Sequence, residues 1–134
     1  MAAITGTAIS VEPVTTRTGY SFEGWYKEEG LTNKVAFPYT VTEDITLYAK
    51  WTPKTYSIDY VMNGGTNDSL NLTSYTIETA TFNLTNPTKA GFDFEGWTGT
   101  DLTSGTTDVT VSSGSIGNRS YTATWQGKAY TVTL

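Results

Sequence analysis

Short stretches in which apolar and polar residues alternate recur along the chain, and this period of two is typical of β-strands with one buried face. The clearest stretch spans residues 45–51, where every second side chain is apolar: Ile45, Leu47, Ala49 and Trp51. The same alternation predicts three further strands, at Tyr56, Ile58 and Tyr60, at Tyr121, Ala123 and Trp125, and at Tyr130, Val132 and Leu134. The pattern therefore predicts a chain that is mostly β.

Shorter or interrupted runs predict additional strands. They lie at Ile9 and Val11 before Pro13, at Val35, Phe37 and Tyr39 around Pro38, at residues 75–84 with a change of phase near Ala80, and at Val109 and Val111. Residues 27–30, which read Lys-Glu-Glu-Gly, predict either one helical turn closed by glycine or a tight turn whose charges face water. Long runs of helix-forming residues are absent, so we expect little helix.

One seven-residue pattern is written twice, and it marks the chain as a repeat protein. Residues 19–25 read Gly-Tyr-Ser-Phe-Glu-Gly-Trp and residues 91–97 read Gly-Phe-Asp-Phe-Glu-Gly-Trp, a spacing of 72 (91 − 19). Downstream motifs recur at a spacing of 74 (125 − 51 and 130 − 56). We therefore predict a first repeat at residues 1–54 without its leading strand, a second and complete repeat at 55–126, and the first strand of a following repeat at 127–134.

The glycine before each repeated tryptophan predicts a β-bulge. Trp25 and Trp97 each fall three residues after a phenylalanine and thus out of phase with it, and a bulge at the glycine would return the indole to the core. A core role is favoured over a surface platform for sugars or bases, because so short a chain needs its large aromatic residues inside. The predicted repeat core comprises Tyr20, Phe22, Gly24, Trp25, Ala49 and Trp51, then Phe92, Phe94, Gly96, Trp97, Ala123 and Trp125.

Composition limits the partners and the chemistry. The net charge is −5 and the basic residues are scattered, which argues against nucleic acid as a partner. No apolar run approaches membrane-spanning length and no signal segment follows Met1, so we expect no membrane insertion. The chain has no Cys and no His, which excludes Ser-His-acid and Cys-His nucleophiles, the usual zinc sites and disulfides. We predict no cofactor, no metal and no catalysis.

The remaining acidic residues are weak candidates for a site. Glu23 and Glu95 recur on the predicted outward face and have no reason to approach each other, as a glycosidase pair would. Asp101 and Asp108 flank a loop that lacks the alternating oxygen ligands of a known calcium loop. Exposed strand charges and a turn that favours Asp explain these residues more simply.

Three motifs in a fixed order, occurring twice, carry a resemblance to a known family. The seven-residue pattern is followed by Leu-Tyr-Ala-Lys-Trp at residues 47–51, then by Tyr-Ser-Ile-Asp-Tyr at 56–60 and Asn-Gly-Gly at 63–65. The second copy, from Asn86 and Pro87 to Trp125, keeps the order of the first two motifs, and the third recurs after it at Tyr130, Val132 and Leu134. The chain resembles the internalin-type B repeat, also called the Listeria/Bacteroides repeat. The resemblance implies β-grasp-like (ubiquitin-like) modules, at most α+β, with mainly antiparallel sheets, strung on extracellular or wall-attached bacterial surface proteins.

The resemblance implies a spacer, stalk or protein-protein interaction (adhesion) role, with an unknown protein or glycan partner and no binding residues to transfer. Two alternatives stay open: a carbohydrate-binding module that uses exposed Tyr48, Tyr75 or Tyr130, and a small hydrolase built on carboxylates alone. The last predicted strand also suggests head-to-tail self-association, in which Tyr130, Val132 and Leu134 add to the open sheet edge of a neighbouring molecule.

Overall fold

The computed structural model describes residues 6–134, and within that range it contains strands and turns but no helix. Among the strand pairings, all are antiparallel except one. The prediction of a mostly β chain with mainly antiparallel sheets is confirmed. The chain divides into two compact units, the first ending at Lys54 and the second running from Thr55 to Leu134.

The first unit contains four described strands in two antiparallel pairs. The strands are β1 (Ala8–Ile9), β2 (Tyr20–Tyr26), β3 (Tyr39–Thr40) and β4 (Tyr48–Pro53). β1 pairs with β3, and β2 pairs with β4. The buried apolar side chains of this unit are Tyr26, Val35 and Val41. The β1–β3 pair joins only two residues of each strand, whereas β2 and β4 are partnered at six positions and form the main ladder of the unit.

The second unit contains six strands. They are β5 (Tyr56–Val61), β6 (Ser74–Tyr75), β7 (Phe82–Asn83), β8 (Phe92–Gly99), β9 (Thr110–Val111) and β10 (Arg119–Gly127). Four of them form one sheet in the order β6-β5-β10-β8, and β7 pairs separately with β9. β5 runs parallel to β10, whereas every other pairing in the unit is antiparallel. The first and last strands of the unit therefore lie side by side in the middle of the sheet.

The core of the second unit lies against this sheet. Its buried members are Ile58, Tyr75, Leu84, Trp97, Val109, Val111, Tyr121 and Ala123. Phe94 packs edge-on against two tryptophans, with ring centroids 5.3 Å from Trp97 and 5.4 Å from Trp125. Full burial of a large apolar side chain contributes about 1.5–3 kcal/mol, so this cluster is the main source of stability in the unit.

Both predicted bulges are present. The register between β2 and β4 shifts between Phe22 and Gly24, and in β8 the residue Glu95 has no partner on β10. Gly24 has φ +122° and Gly96 has φ +141°, backbone angles that favour glycine. The extra residue changes the alternation by one position, and Trp97 consequently turns inward and is fully buried.

Several predicted strands are shorter than expected or absent. β1 ends at Ile9 and leaves Val11 76% exposed, and the run that starts at Val35 is a strand only at Tyr39–Thr40. Pro38 lacks the N–H that a ladder needs, which explains the second case. Ile45 and Leu47 precede β4, which begins at Tyr48, and residues 128–134 form no strand. The last two cases share a cause, since neither segment has a ladder partner among the described residues.

Candidate interaction edges

The leading strand of the second unit, β5, covers one edge of β10. The parallel register places Ile58 opposite Arg119, Asp59 opposite Ser120 and Tyr60 opposite Tyr121. Ile58 is 2% exposed, whereas Asp59 on the other face is exposed. This edge is therefore filled by a strand that alternates between inward apolar and outward polar side chains.

The side chains of β5 also complete the aromatic core. The Tyr60 ring lies 5.6 Å from that of Trp97 and 6.3 Å from that of Tyr121 between centroids. Its hydroxyl donates to the Leu72 carbonyl oxygen at 2.6 Å, and burial, followed by the nearby Tyr121, raises the pKa of Tyr60 to about 12. Just after β5, the Met62 carbonyl oxygen accepts from the Trp125 indole N–H at 2.9 Å.

A buried arginine links the start of β10 to β6, which lies on the far side of β5. The Arg119 guanidinium donates to the Tyr75 hydroxyl oxygen at 3.0 Å and to the Tyr121 hydroxyl oxygen at 3.1 Å, and it lies 3.4 Å from the carboxylate of the exposed Asp101. The Tyr75 hydroxyl in turn donates to the Gly117 carbonyl. Sequence reasoning missed this cluster, although an arginine that opens a predicted strand beside core tyrosines is a usable signal. Its contacts are structural.

Among residues 6–134, no strand of the first unit corresponds to β5. With the spacing of 74, β4 is equivalent to the second part of β10, and residues 45–47 are equivalent to Arg119, Ser120 and Tyr121 (119 − 74 to 121 − 74). These are the positions that β5 pairs with in the second unit. In the first unit they form no strand, and among residues 6–134 β4 pairs only with β2. No strand of the described residues therefore covers this side of residues 45–50, which we call the β4 edge.

The repeated core residues are also less buried in the first unit than in the second. Phe22 lies 5.4 Å from Trp25 and 5.5 Å from Trp51, nearly the same distances as in the second unit. However, Trp25 and Ala49 are only half-buried, whereas their equivalents, Trp97 and Ala123, are fully buried. The aromatic rings are thus arranged alike in the two units, but in the first unit they are more exposed to solvent.

The remaining predicted core residues are partly accessible. Tyr20, Phe22, Trp51, Phe94 and Trp125 are half-buried, and both bulge glycines, Gly24 and Gly96, are buried. Phe92 is 38% exposed, which corrects its assignment to the core. It opens β8 at the end of the ladder, where its ring lies 4.0 Å from the Lys89 ammonium instead of under a neighbouring strand.

The C-terminal segment, residues 128–134, is exposed. Tyr130 is 74% exposed, Val132 is 79% exposed and Leu134 is fully exposed. The segment reads Lys-Ala-Tyr-Thr-Val-Thr-Leu, and residues 54–60, which include most of β5, read Lys-Thr-Tyr-Ser-Ile-Asp-Tyr. The start of the segment is fixed by a hydrogen bond, in which the Lys128 backbone N–H donates to the Gly91 carbonyl oxygen at 3.0 Å. The rest of the segment carries the alternation of β5 without its partner.

The other candidate residues do not assemble a chemical site. Glu23 and Glu95 are exposed beside the bulges, and no group of three or more possible metal-ligating side chains occurs within residues 6–134. Tyr75 is 3% exposed, so its assignment as a possible exposed sugar platform is wrong, because Arg119 and the core enclose it. Tyr48 is half-buried and Tyr130 is exposed. A shallow depression beside Lys89 and Phe92 includes none of these tyrosines.

The duplicated bulge and the repeated aromatic cluster define a tandem β-repeat protein. The profile of the Listeria-Bacteroides repeat domain matches residues 2–50 and 56–123, and the chain belongs to this family. The resemblance found in the sequence is thereby confirmed. The family is a repeat domain of bacterial surface-type proteins and is not a known enzyme family.

Three relatives show the setting in which such repeats occur. A "Putative Gly-rich membrane protein" of Evansella cellulosilytica is 33% identical over 134 residues, which is 96% of this chain and 15% of the relative. A "Putative membrane protein" of the same organism is 36% identical over 119 residues, 88% of this chain and 18% of the relative. Internalin H of Listeria monocytogenes is 34% identical over 84 residues, 61% of this chain and 15% of the relative.

The chain thus spans less than a fifth of each of these relatives. No solved structure matches it significantly. Within residues 6–134 there is no helix with the length and apolar character needed to cross a membrane.

Proposed function

We propose that this chain is a non-catalytic spacer segment of a secreted or wall-attached bacterial surface protein, and that it carries other domains away from the cell. The strongest support is that the residues that recur in the two units have the same packing role in each. The bulge glycine, the tryptophan after it and the strand opposite serve packing in both units. A segment in which these repeated residues serve packing is suited to a mechanical role.

We also propose that the repeat spans residues 55–126, that residues 127–134 begin a following repeat, and that the unit is a helix-free variant of the β-grasp fold. The central parallel pair of β5 and β10, with one antiparallel neighbour on each side, supports the fold assignment. The extracellular location is proposed from family membership and from the names of the relatives, two of which are named as putative membrane proteins.

The spacer role is tested by length. Chains that carry increasing numbers of copies of residues 55–127 in series are measured by small-angle X-ray scattering under dilute, monomeric conditions. A spacer predicts a maximum dimension that grows in proportion to the number of copies. Growth as the cube root of the mass, which is the behaviour of a compact globule, would contradict the proposal.

An interaction (adhesion) role is a second candidate, and the β4 edge is the observation that favours it. An edge that no described strand covers, with half-buried aromatic residues behind it, offers backbone hydrogen bonds and apolar area to an extended segment of a protein. Binding of extended peptides to the immobilised chain is the corresponding test, and loss of binding on Leu47→Asp would localise it to this edge. Binding unaffected by that change would contradict the assignment.

A further inference from the structure

We propose that Asn63 is a deamidation site that the folded second unit protects, and that its conversion after opening leaves this unit permanently weaker. The proposal concerns a chemical modification and does not depend on the spacer function. It is carried by three observations: the only Asn-Gly step of the sequence, a tight turn that contains it, and a hydrogen bond that holds the asparagine side chain on a central strand.

The Asn-Gly step favours loss of ammonia from the asparagine. The backbone nitrogen of the glycine can attack the side-chain carbonyl carbon, because glycine has no side chain to hinder the approach and adopts more backbone angles than other residues. The attacking nitrogen gives up its proton, a C–N bond forms, and the amide nitrogen leaves as ammonia. Solvent water then opens either carbonyl of the resulting imide ring and leaves an aspartate or an isoaspartate. Of the seven asparagines, only Asn63 precedes a glycine, so this site is singled out.

In the folded unit the step lies in a tight turn just after β5. The Gly65 backbone N–H donates to the Met62 carbonyl oxygen at 3.0 Å, which closes a four-residue turn. The backbone angle φ is 49° at Asn63 and 88° at Gly64, and positive values at both central positions are those of a type I′ turn. Asparagine and glycine are the residues that tolerate these angles. The fold therefore requires the dipeptide that is chemically labile.

The Asn63 side chain is held across the sheet. Its Nδ2 donates to the carbonyl oxygen of Ala123 on β10 at 3.0 Å, just past Val61 and Thr122, the last paired residues of β5 and β10. The Lys89 ammonium donates to the Asn63 backbone carbonyl oxygen at 3.0 Å and holds the main chain of the turn. Ring closure would have to draw the side-chain amide away from Ala123. The reaction therefore runs through the opened turn, although Asn63 itself is exposed to water.

The product cannot restore the contact with β10. Deamidation replaces the NH2 donor by a carboxylate, which only accepts hydrogen bonds. The carbonyl oxygen of Ala123, a fully buried residue, would then face a second acceptor. An isoaspartate also lengthens the backbone of the turn and changes how β5 meets β10. We therefore expect the deamidated unit to open about 5- to 150-fold more readily, the factor for a buried acceptor left without its donor.

The first test compares deamidation rates in the closed and the opened chain. The full chain is incubated at neutral pH with and without guanidinium chloride above its unfolding midpoint, and each asparagine is followed by peptide mass spectrometry. In denaturant Asn63 should convert faster than Asn33, which precedes a lysine and serves as the internal control. Without denaturant, conversion should slow in proportion to the fraction of time that the Gly65 N–H is open in hydrogen exchange.

Two results of this comparison would overturn the proposal. Conversion of Asn63 in the closed chain faster than the open fraction allows would show that the fold does not protect the site. Conversion no faster than that of Asn33 in denaturant would show that the Asn-Gly step is not labile in this sequence.

The second test measures what the modification does to the fold. The deamidated chain carries an additional negative charge and can be separated from the parent by ion exchange. Hydrogen exchange under increasing denaturant then reports β8 for the second unit and β2 for the first. The second unit should open at a lower denaturant concentration than in the parent, and the first unit should be unchanged. Equal stability of the second unit before and after deamidation would overturn the proposed weakening.

Two variants separate the chemistry from the turn. Asn63→Gly keeps a residue suited to positive φ, cannot lose ammonia, and should show no change of mass at this position. Asn63→Asp supplies the aspartate product directly and should be less stable than Asn63→Gly, because glycine removes the donor without adding an acceptor beside Ala123. Equal stability of the two variants would overturn this cause. None of these results bears on the growth of dimension with repeat number, so a failure here is distinguishable from a failure of the spacer role.

Discussion

The two bulge glycines have the same backbone role but different surroundings. An added Cβ at Gly24 would meet the end of the Lys34 side chain at 2.6 Å, and this side chain can move away. At Gly96 the Cβ would meet backbone atoms of Thr106 at 2.8 Å, and Thr106 pairs with Trp97 through two hydrogen bonds. The backbone around Gly96 therefore cannot easily move to accommodate an added Cβ.

We predict that Gly96→Ala destabilises its unit more than Gly24→Ala destabilises the first. Both substitutions place a side chain at positive φ, which costs about 1–2 kcal/mol. Gly96→Ala adds an overpacking cost of about 1–3 kcal/mol. Hydrogen exchange under increasing denaturant, followed separately on β2 and β8, measures each free energy of unfolding. Equal losses would show that the space around the glycine does not matter.

The turn at residues 27–33 is held by one carboxylate, which corrects the prediction that its charges only face water. Glu28 accepts the backbone N–H of Thr32 at 2.7 Å and that of Asn33 at 2.8 Å, and it also accepts both of their side chains. These bonds, led by the Asn33 backbone, lower the pKa of Glu28 from 4.5 to about 2. Of the two predicted forms, the tight turn is the one present.

We predict that this turn loosens in acid. Because the folded pKa lies below the ordinary value, the charged carboxylate stabilises the turn fully above about pH 4.5, and the contribution is lost as the pH falls through about 2. The amide signals of Thr32 and Asn33 in nuclear magnetic resonance spectra should titrate with a midpoint near 2. In Glu28→Gln, which cannot ionise, the same signals should be independent of pH in this range. A titration that persists in the variant would assign the effect to another group.

At the scale of single residues, the sequence predicts the features that occur in both repeats and does not predict those that occur in only one. The β-bulge at the glycine before each tryptophan can be predicted, because in both repeats the tryptophan is out of phase with the preceding aromatic residue. The buried Arg119 contacts the Tyr121 hydroxyl on its own strand and the Tyr75 hydroxyl of β6, and the local sequence indicates only the first of these contacts. The exposure of Phe92 has the same origin, because the alternation of β8 continues past the point where neighbouring strands cover it.

At the scale of the elements, β5 shows most clearly that a strand forms only where a neighbouring strand can pair with it. β5 and the free residues 130–134 have similar sequences, yet one is a central strand and the other is not a strand. Periodicity predicts which side chains a strand would bury, but the ladder forms only where another backbone is available. The same reason explains why β10 spans Arg119–Gly127 while β4 begins only at Tyr48.

We predict opposite results for equivalent substitutions in these two segments. Ile58→Ala removes a side chain that is 2% exposed and should cost about 2–5 kcal/mol. Val132→Ala, at dilute concentrations where the chain is monomeric, should change stability by less than about 0.5 kcal/mol. Chemical denaturation of the two variants beside the parent provides the measurement. A large effect of Val132→Ala in a monomer would show that the segment already packs within its own chain.

For the molecule as a whole, unequal cover of the same aromatic cluster predicts unequal stability of the two units. Trp25 and Ala49 in the first unit are half-buried, whereas Trp97 and Ala123 are fully buried. Each incompletely buried side chain contributes less than the approximately 25 cal/mol per Å² available from full removal of its apolar surface from water. The first unit should therefore be the weaker one.

We predict that the first unit opens at a lower denaturant concentration than the second. Amide exchange followed by mass spectrometry should show β2 and β4 losing protection before β8 and β10, with residues 45–47 unprotected throughout. A single shared midpoint for both units would contradict this order. Val35→Ala provides a control, because it should weaken the first unit without moving the midpoint of the second.

The central parallel pair also sets the order in which the second unit can be built. Ile58 and its partner Arg119 are 61 residues apart along the chain (119 − 58), so β5 must wait for almost the whole repeat before its neighbour exists. Contacts this distant in sequence form late and slowly. In a chain made from its N-terminus, each such repeat would stay unfolded and able to thread through a narrow passage until its last strand emerged, and an array would then fold one repeat at a time in the order of synthesis.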